Sequence, residues 1–123
     1  MKQRVHHRFS CPMPSKKDLD AKSLEKIAAL FKVFAEPTRL AILQLLRRGP
    51  HSVNEIVEAL PTSQANVSKQ LRLLYDADLL SREQRGNQVI YSVHEPLVYE
   101  LCELVCDKLN RQAKSEGAVV YEI

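Results

Sequence analysis

Ser63-Gln64-Ala65-Asn66-Val67-Ser68-Lys69-Gln70-Leu71-Arg72-Leu73-Leu74-Tyr75 is the stretch on which the reading of the fold turns. Val67, Leu71 and Leu74 recur at helical spacing, so one face of this segment is apolar. The opposite face carries Ala65, Ser68, Lys69 and Arg72, with Gln64 at its start and no acid before Asp76. These side chains suit base edges and phosphates. Gln pairs with adenine, Arg with guanine, a small Ala or Ser sits against a thymine methyl, and Lys reaches phosphate. Taken alone, the same pattern also describes an ordinary solvated amphipathic helix, so the flanking sequence has to decide.

Immediately upstream, Ser52-Val53-Asn54-Glu55 has the form of a capping box and opens a short helix through Ile56, Val57 and Leu60. Pro61 ends it, and Thr62 or Ser63 caps the next. Two short helices joined by a few residues, the second polar and basic, make a helix-turn-helix. Downstream the period changes to that of strands, over Leu80–Arg85 and Gln88–Val93. Gly86-Asn87 between them can take the positive φ angles of a tight hairpin turn. Arg82 and Arg85 lie on the approach to the tip, where Asn87 stands. A basic hairpin after a helix-turn-helix is a winged helix. The helix lies in the major groove while the hairpin reaches backbone or minor groove. The expected DNA-contacting set is Ser63, Gln64, Ala65, Ser68, Lys69, Arg72, Arg82, Arg85 and Asn87.

The flanks complete a mainly α fold. From Asp18 to Ala35 the spacing of Leu24, Ile27, Ala28, Leu30, Phe31 and Phe34 is helical, with Asp18 or Asp20 as cap. That apolar band is wider than one neighbour needs, which points to a second contact surface. Pro37 suits the first turn of a second helix, whose Leu40, Ile42, Leu43, Leu45 and Leu46 are nearly all core. Gly49-Pro50 stops it. Pro96 opens a last helix running to about Ala113, striped by Val98, Leu101, Cys102, Val105 and Leu109. From Ser115 the chain is expected to fray, and Val119-Val120-Tyr121 has no evident partner. Tyr91 and Phe31 read as core, and His51 and His94 as solvent-exposed loop histidines.

With 123 residues, 45% of them hydrophobic and 27% charged, the chain is long enough for one globular domain. A net charge of only +3 means that DNA binding rests on where the basic residues stand rather than on bulk charge. No apolar run approaches the roughly 20 residues that span a bilayer. The basic N-terminus lacks the apolar stretch of a secretory signal, so the expected compartment is the cytoplasm, with no membrane partner. Three cysteines, an odd number, argue against a disulfide framework there.

From roughly residue 20 to 112 the sequence resembles the ArsR/SmtB family of bacterial winged-helix repressors. Glu36-Pro37-Thr38-Arg39-Leu40 resembles that family's Asp-Pro-Thr-Arg-Leu. Ser63-Gln64 through Val67-Ser68-Lys69 to Leu71 and Leu74, and the wing segment Arg85-Gly86-Asn87-Gln88-Val89-Ile90-Tyr91, match as well. The resemblance implies five helices plus a two-stranded wing, in a homodimer joined through the first and last helices. It also implies a repressor that binds a double-stranded operator and leaves it when an inducer arrives. Two recognition helices per dimer lead to an inverted-repeat site. The organisation expected is a flexible basic arm at 1–17, a DNA-binding and dimerisation domain at 18–113, and a tail at 114–123. Gln70 stands where the family often has His, a change expected to alter operator preference. Asp78 stands where Gly usually follows the recognition helix, and Asp tolerates the left-handed conformation at some cost.

The family's known sensing sites are missing here. Ser52 and Asn54 occupy the positions of one cysteine pair. Aligning Glu95 with the first ligand of the last-helix metal site leaves Leu97, Lys108 and Arg111 as poor zinc ligands. No thiol stands near Gln44 for a second-helix partner. What remains is Cys102 and Cys106, whose i, i+4 spacing puts both sulfurs on one side of a helix, about 6 Å apart at Cβ. Such a pair can hold arsenite or another soft ion, with Cys11 of the arm as a third thiolate. No cofactor is required beyond such an inducer. A redox or reactive-sulfur sensor using the same thiols is the alternative, and simple packing of Cys102 as a small hydrophobe is the bland one. A winged helix serving only protein contacts would more often show an acidic or apolar recognition face. An enzyme is the weakest reading, because there is no nucleophile–base pair, phosphate loop or filled metal motif.

Overall fold

The computed structural model describes residues 18–116 and 120–123. The arm at 1–17, with Cys11, His6 and His7, lies outside them, as does Val119. Among the described residues the elements run α1 (Ala21–Val33), α2 (Pro37–Leu46), β1 (His51–Ser52), α3 (Val53–Ala59), α4 (Gln64–Asp76), β2 (Leu80–Arg85), β3 (Gln88–Val93) and α5 (Leu97–Glu116).

Each of the first four helices begins where a side chain satisfies a free backbone N–H. Asp20, rather than Asp18, caps α1 by accepting from the Ser23 amide at 2.8 Å, and that bond holds its carboxyl below the ordinary range. Glu36 does the same for Arg39 at 2.8 Å, with Pro37 in the first turn of α2. Ser52 and Glu55 close a reciprocal capping box at 3.1 and 2.7 Å. Ser63, not Thr62, caps α4 through the Asn66 amide at 3.1 Å. Gly49, at φ 132°, takes the chain out of α2 in a conformation that side chains rarely adopt.

One core holds these elements together. Ile42 and Leu43 of α2, Ile56 of α3, Val67, Leu71 and Leu74 of α4, and Val98 of α5 are buried against Leu79, Leu80 and Tyr91. By contrast, α1 has no buried residue.

The structure departs from the sequence reading in several places. The wing belongs to a three-stranded antiparallel sheet of order β1-β3-β2, not to a lone hairpin. His51 pairs with Tyr91 and Ser52 with Ile90. Two residues carry no periodicity, and Ser52 doubles as a helix cap, so this strand leaves no pattern to read. His51 is therefore a half-buried strand residue whose Nδ1 lies 2.7 Å from the Gly49 carbonyl, not a loop histidine. In the hairpin turn only Gly86 has positive φ, 62°, which is the type II′ pattern rather than one needing Asn87 as well. Helix α1 is shorter than Asp18 to Ala35, and α5 continues past Ala113 to Glu116. Tyr121 does have a partner. Its amide donates to Asn110 Oδ1 at 2.6 Å, and Asn110 Nδ2 donates back to the Tyr121 carbonyl at 2.9 Å. Phe31, read as core, is 59% exposed, and Leu24 is 54% exposed on the same helix.

Candidate nucleic-acid interface and thiol cavity

The apolar side of α4 is consumed by the core, which fixes what the other side presents. Ser63, Gln64, Ala65, Ser68, Lys69 and Arg72 are all exposed. Ala65, Ser68, Lys69 and Arg72 follow i, i+3, i+4, i+7 spacing and so form one outward row. Among the described residues Arg72 pairs with Asp76, one turn on, at 3.7 Å and with both side chains mostly in solvent. That contact is weak enough to exchange for a base edge.

Gln70 does not belong to that row. It is 5% exposed and hydrogen-bonded inside the protein, so it cannot touch a base directly. The operator preference expected to change with Gln70 thus has no direct base contact behind it, since its position places it with Val67, Leu71 and Leu74 on the inner side.

The turn after α4 sets the wing against the helix. Asp78 takes φ 63°, the left-handed conformation expected where Gly is usual. The Leu79 amide bonds the Leu74 carbonyl at 3.2 Å and the Asp78 amide bonds that of Tyr75 at 2.9 Å, completing a Schellman motif. His94 closes the wing's base. Its ring nitrogens lie 2.7 Å from Ser81 Oγ and 3.0 Å from the Asp78 carbonyl, and its amide donates to the Leu79 carbonyl at 3.2 Å.

Arg82 faces Tyr91 across the ladder and its guanidinium lies 3.9 Å from the centre of the Tyr75 ring. A hydrogen bond to Tyr91 raises its pKa further above the ordinary arginine value. It is a fixed positive charge at the helix–wing junction. Arg85 stands nearer the tip, paired with Glu83 at 3.1 Å, and Asn87 is exposed in the turn itself. Sequence reasoning missed that Tyr75 braces Arg82. The signal was present, since an aromatic ends the recognition helix and an arginine follows in the next strand.

The cysteines lie at the other end of the molecule. Cys102 is buried and Cys106 half-buried, both as free thiols. They share one wall of an apolar cavity of about 350 Å³, closed by Phe31 and Phe34 from the α1 end, Leu40 of α2, and Ile123 of the tail. Burial, and then the neighbouring Cys106, push the Cys102 thiol above its usual pKa. Among the described residues no group of three or more His, Cys, Asp or Glu side chains is placed to hold a metal ion. A soft ion at this wall thus has two protein thiols from α5, and Cys11 lies outside the described residues.

Residues 34–83 match a family described as a helix-turn-helix domain. Over 85 residues the chain is 34% identical to the HTH-type transcriptional regulator NmtR of Mycobacterium tuberculosis, covering 69% of this chain and 71% of that protein. Among solved structures, the homodimeric winged helix-turn-helix domain Mb0332 from Mycobacterium bovis, a possible ArsR-family regulator, is 27% identical. It superposes with a TM-score of 0.64 and covers 82% of this chain and 92% of that one. The chain belongs to the ArsR/SmtB family of winged-helix regulators. A further similar structure, the AntR antimony-specific transcriptional repressor, is 30% identical with a TM-score of 0.69, covering 84% of this chain and 95% of that one. Membership makes this a DNA-binding transcriptional regulator and not an enzyme. No helix among the described residues is long and apolar enough to cross a membrane.

Proposed function

We propose that the protein is a homodimeric repressor that reads an inverted-repeat operator in the cytoplasm and releases it when a thiophilic metal or metalloid reaches Cys102 and Cys106. The observation that carries the DNA half is the outward row of α4 beside a wing that sets Arg82 at the helix junction and Arg85 nearer the tip. Gln64, Ala65, Ser68, Lys69 and Arg72 read the major groove, Ser63 caps the helix at a phosphate, and Arg82, Arg85 and Asn87 reach along the backbone. Dimerisation through α1 and α5 is supported by their bare apolar sides. Leu24, Ile27, Leu30 and Phe31 on α1 and Leu104 and Val105 on α5 are exposed in the single chain. A patch of that kind marks an interaction surface, and the similar Mb0332 domain is homodimeric. Residues 18–113 form the DNA-binding and dimerisation unit, between the arm at 1–17 and the tail at 114–123.

The release half rests on two thiols sharing one apolar wall, and on the likeness to an antimony-specific repressor. Two thiolates from α5 with a third from Cys11 suit a trivalent metalloid such as arsenite or antimonite. Arsenite and antimonite are neutral hydroxides near neutrality, so each binding thiol replaces a hydroxide and its proton leaves in the water released. Burial raises the Cys102 pKa, and the protonated thiol is the form that this exchange consumes, so affinity changes little with pH around neutrality. The test titrates the reduced protein–operator complex with arsenite and antimonite at several pH values. Wild type releases DNA with similar sensitivity across neutral pH. Cys102→Ser and Cys106→Ser bind DNA normally but require far more ion. Release that survives loss of both thiols ends the thiol-sensor reading and leaves the DNA-binding one standing.

A further inference from the structure

A part-buried relay of side-chain hydrogen bonds, with Gln70 buried at its centre, joins the end of α1 to the first turn of the recognition helix. Arg39 sends Nε to the Val33 carbonyl at 2.7 Å and Nη2 to the Lys32 carbonyl at 3.1 Å. Both are last-turn carbonyls of α1, the Lys32 one also accepting the Ala35 amide at 3.1 Å, and a guanidinium there suits the helix dipole. Its third arm, Nη1, reaches Gln70 Oε1 at 2.6 Å. Gln70 Nε2 continues to Asn66 Oδ1 at 2.9 Å, and Asn66 Nδ2 to Thr62 Oγ1 at 2.9 Å.

The direction of this chain is set by chemistry. A guanidinium only donates, so Gln70 has to offer it oxygen and pass a donor onward. Asn66 is then obliged to do the same. Thr62 receives the last donor with its oxygen, which leaves its own hydroxyl proton for an acceptor beyond the relay. Thr62 immediately precedes the Ser63 cap of α4, on the side proposed to meet the duplex, and phosphate oxygens only accept.

We infer that Gln70 and Arg39 are positioning residues for DNA reading: through Asn66 they lock the first turn of α4 onto α1 and turn the Thr62 hydroxyl proton toward a phosphate. This rests on the DNA-reading function above. The relay makes the outward row of α4 a rigid extension of the core, so loss of the lock costs base discrimination. Loss of the Thr62 donor costs affinity for any duplex equally.

Three substitutions separate these effects. Gln70→Met keeps shape and burial but removes both hydrogen bonds. Gln70→Glu still accepts from Arg39, and the Asn66 amide can turn over to donate to it. That reversal keeps the lock but uses up the Thr62 proton. Thr62→Val removes that proton directly. The probes are the duplex that wild type enriches from a randomised pool and a scrambled duplex of equal length, with thermal melting of each variant as a folding control.

Gln70→Met is expected to lower the ratio of enriched to scrambled affinity by about tenfold, as for a lost charge-assisted hydrogen bond. Gln70→Glu is expected to keep the wild-type ratio while both affinities fall about threefold, the size of one neutral hydrogen bond. Thr62→Val gives the same pattern and adds nothing on top of Gln70→Glu. An unchanged ratio in Gln70→Met, equal losses on both duplexes, or a Glu variant no better than Met overturns the relay. Should Gln70→Met not fold, Asn66→Ala breaks the next link and carries the same expected loss of ratio. If wild type enriches no duplex at all, the DNA-reading function itself falls, and the relay's role with it.

Discussion

The half of the molecule that faces DNA and the half built from α1 and α5 are made differently. In the first, α3, α4 and the wing surround a common core, and Leu71, Leu74 and Ile56 are almost wholly removed from water. Its helices carry local caps, and its turns take the φ angles that Gly86 and Asp78 supply. In the second, α1 buries no residue of its own, and Leu104 and Val105 of α5 stand in solvent. Helix α5 is pinned to α2 by Tyr99, whose hydroxyl donates to the Leu43 carbonyl at 2.8 Å, and by the packing of Val98. The contrast teaches that one half is finished within a chain while the other leaves apolar surface bare. In the proposed dimer, stability of the reading head is an intramolecular matter, while that of the α1–α5 layer depends on concentration.

The sharpest way to break this contrast is inside the core. Leu74→Ala, at a fully buried position, is expected to cost about 3 kcal/mol at every protein concentration, read from denaturant melts. A melt that recovers with concentration would place Leu74 in the partner-dependent half. Next comes the exposed layer. Leu24→Glu combined with Phe31→Glu is expected to leave a folded monomer by sedimentation and to weaken operator binding about a hundredfold, through loss of bivalency. A double variant that stays dimeric would move the interface elsewhere. The smallest effect belongs to the junction. Tyr99→Phe removes one half-buried hydrogen bond and is expected to cost about 1 kcal/mol, lowering the melting temperature by a few degrees. Burial holds the Tyr99 pKa at about 12, so its hydroxyl still donates across the range in which the protein is assayed.

Local features of the reading head were legible because they are written in neighbouring residues. The Ser52–Glu55 box, the Pro37 start, Gly86 in the turn and both hairpin strands need nothing beyond their own segment. Asp78 in the left-handed region was legible for the same reason. The missed features depend on distant residues. Gln70 was legible as a departure from the family's usual His but not as a buried link, because its partner, Arg39, is 31 positions away. Strand β1 exists only through its pairing with β3. Tyr121 is held by Asn110, on the far side of a helix end. The wide apolar band of α1 is exposed in the single chain, as a second contact surface requires, but Phe31 within it was assigned to the core. Spacing shows that a face is apolar without saying which chain covers it. The exposure of Ala65, Ser68, Lys69 and Arg72 followed from helix periodicity, whereas the bracing of Arg82 by Tyr75 needed the folded junction.

The Schellman turn at Ala77–Leu79 has a consequence for the geometry of recognition. The two crossed amide bonds, the His94 clasp and the Arg82–Tyr75 stack tie the recognition helix to the wing. Each protomer is thus a caliper with a braced jaw. In the proposed dimer the spacing between the two calipers is set where α1 and α5 meet their counterparts. An inducer acting on that spacing alone would leave binding to a single half-site unchanged. One that moved Phe31 and Phe34 at the α1 end would reach the Arg39–Gln70 relay and weaken a single half-site as well.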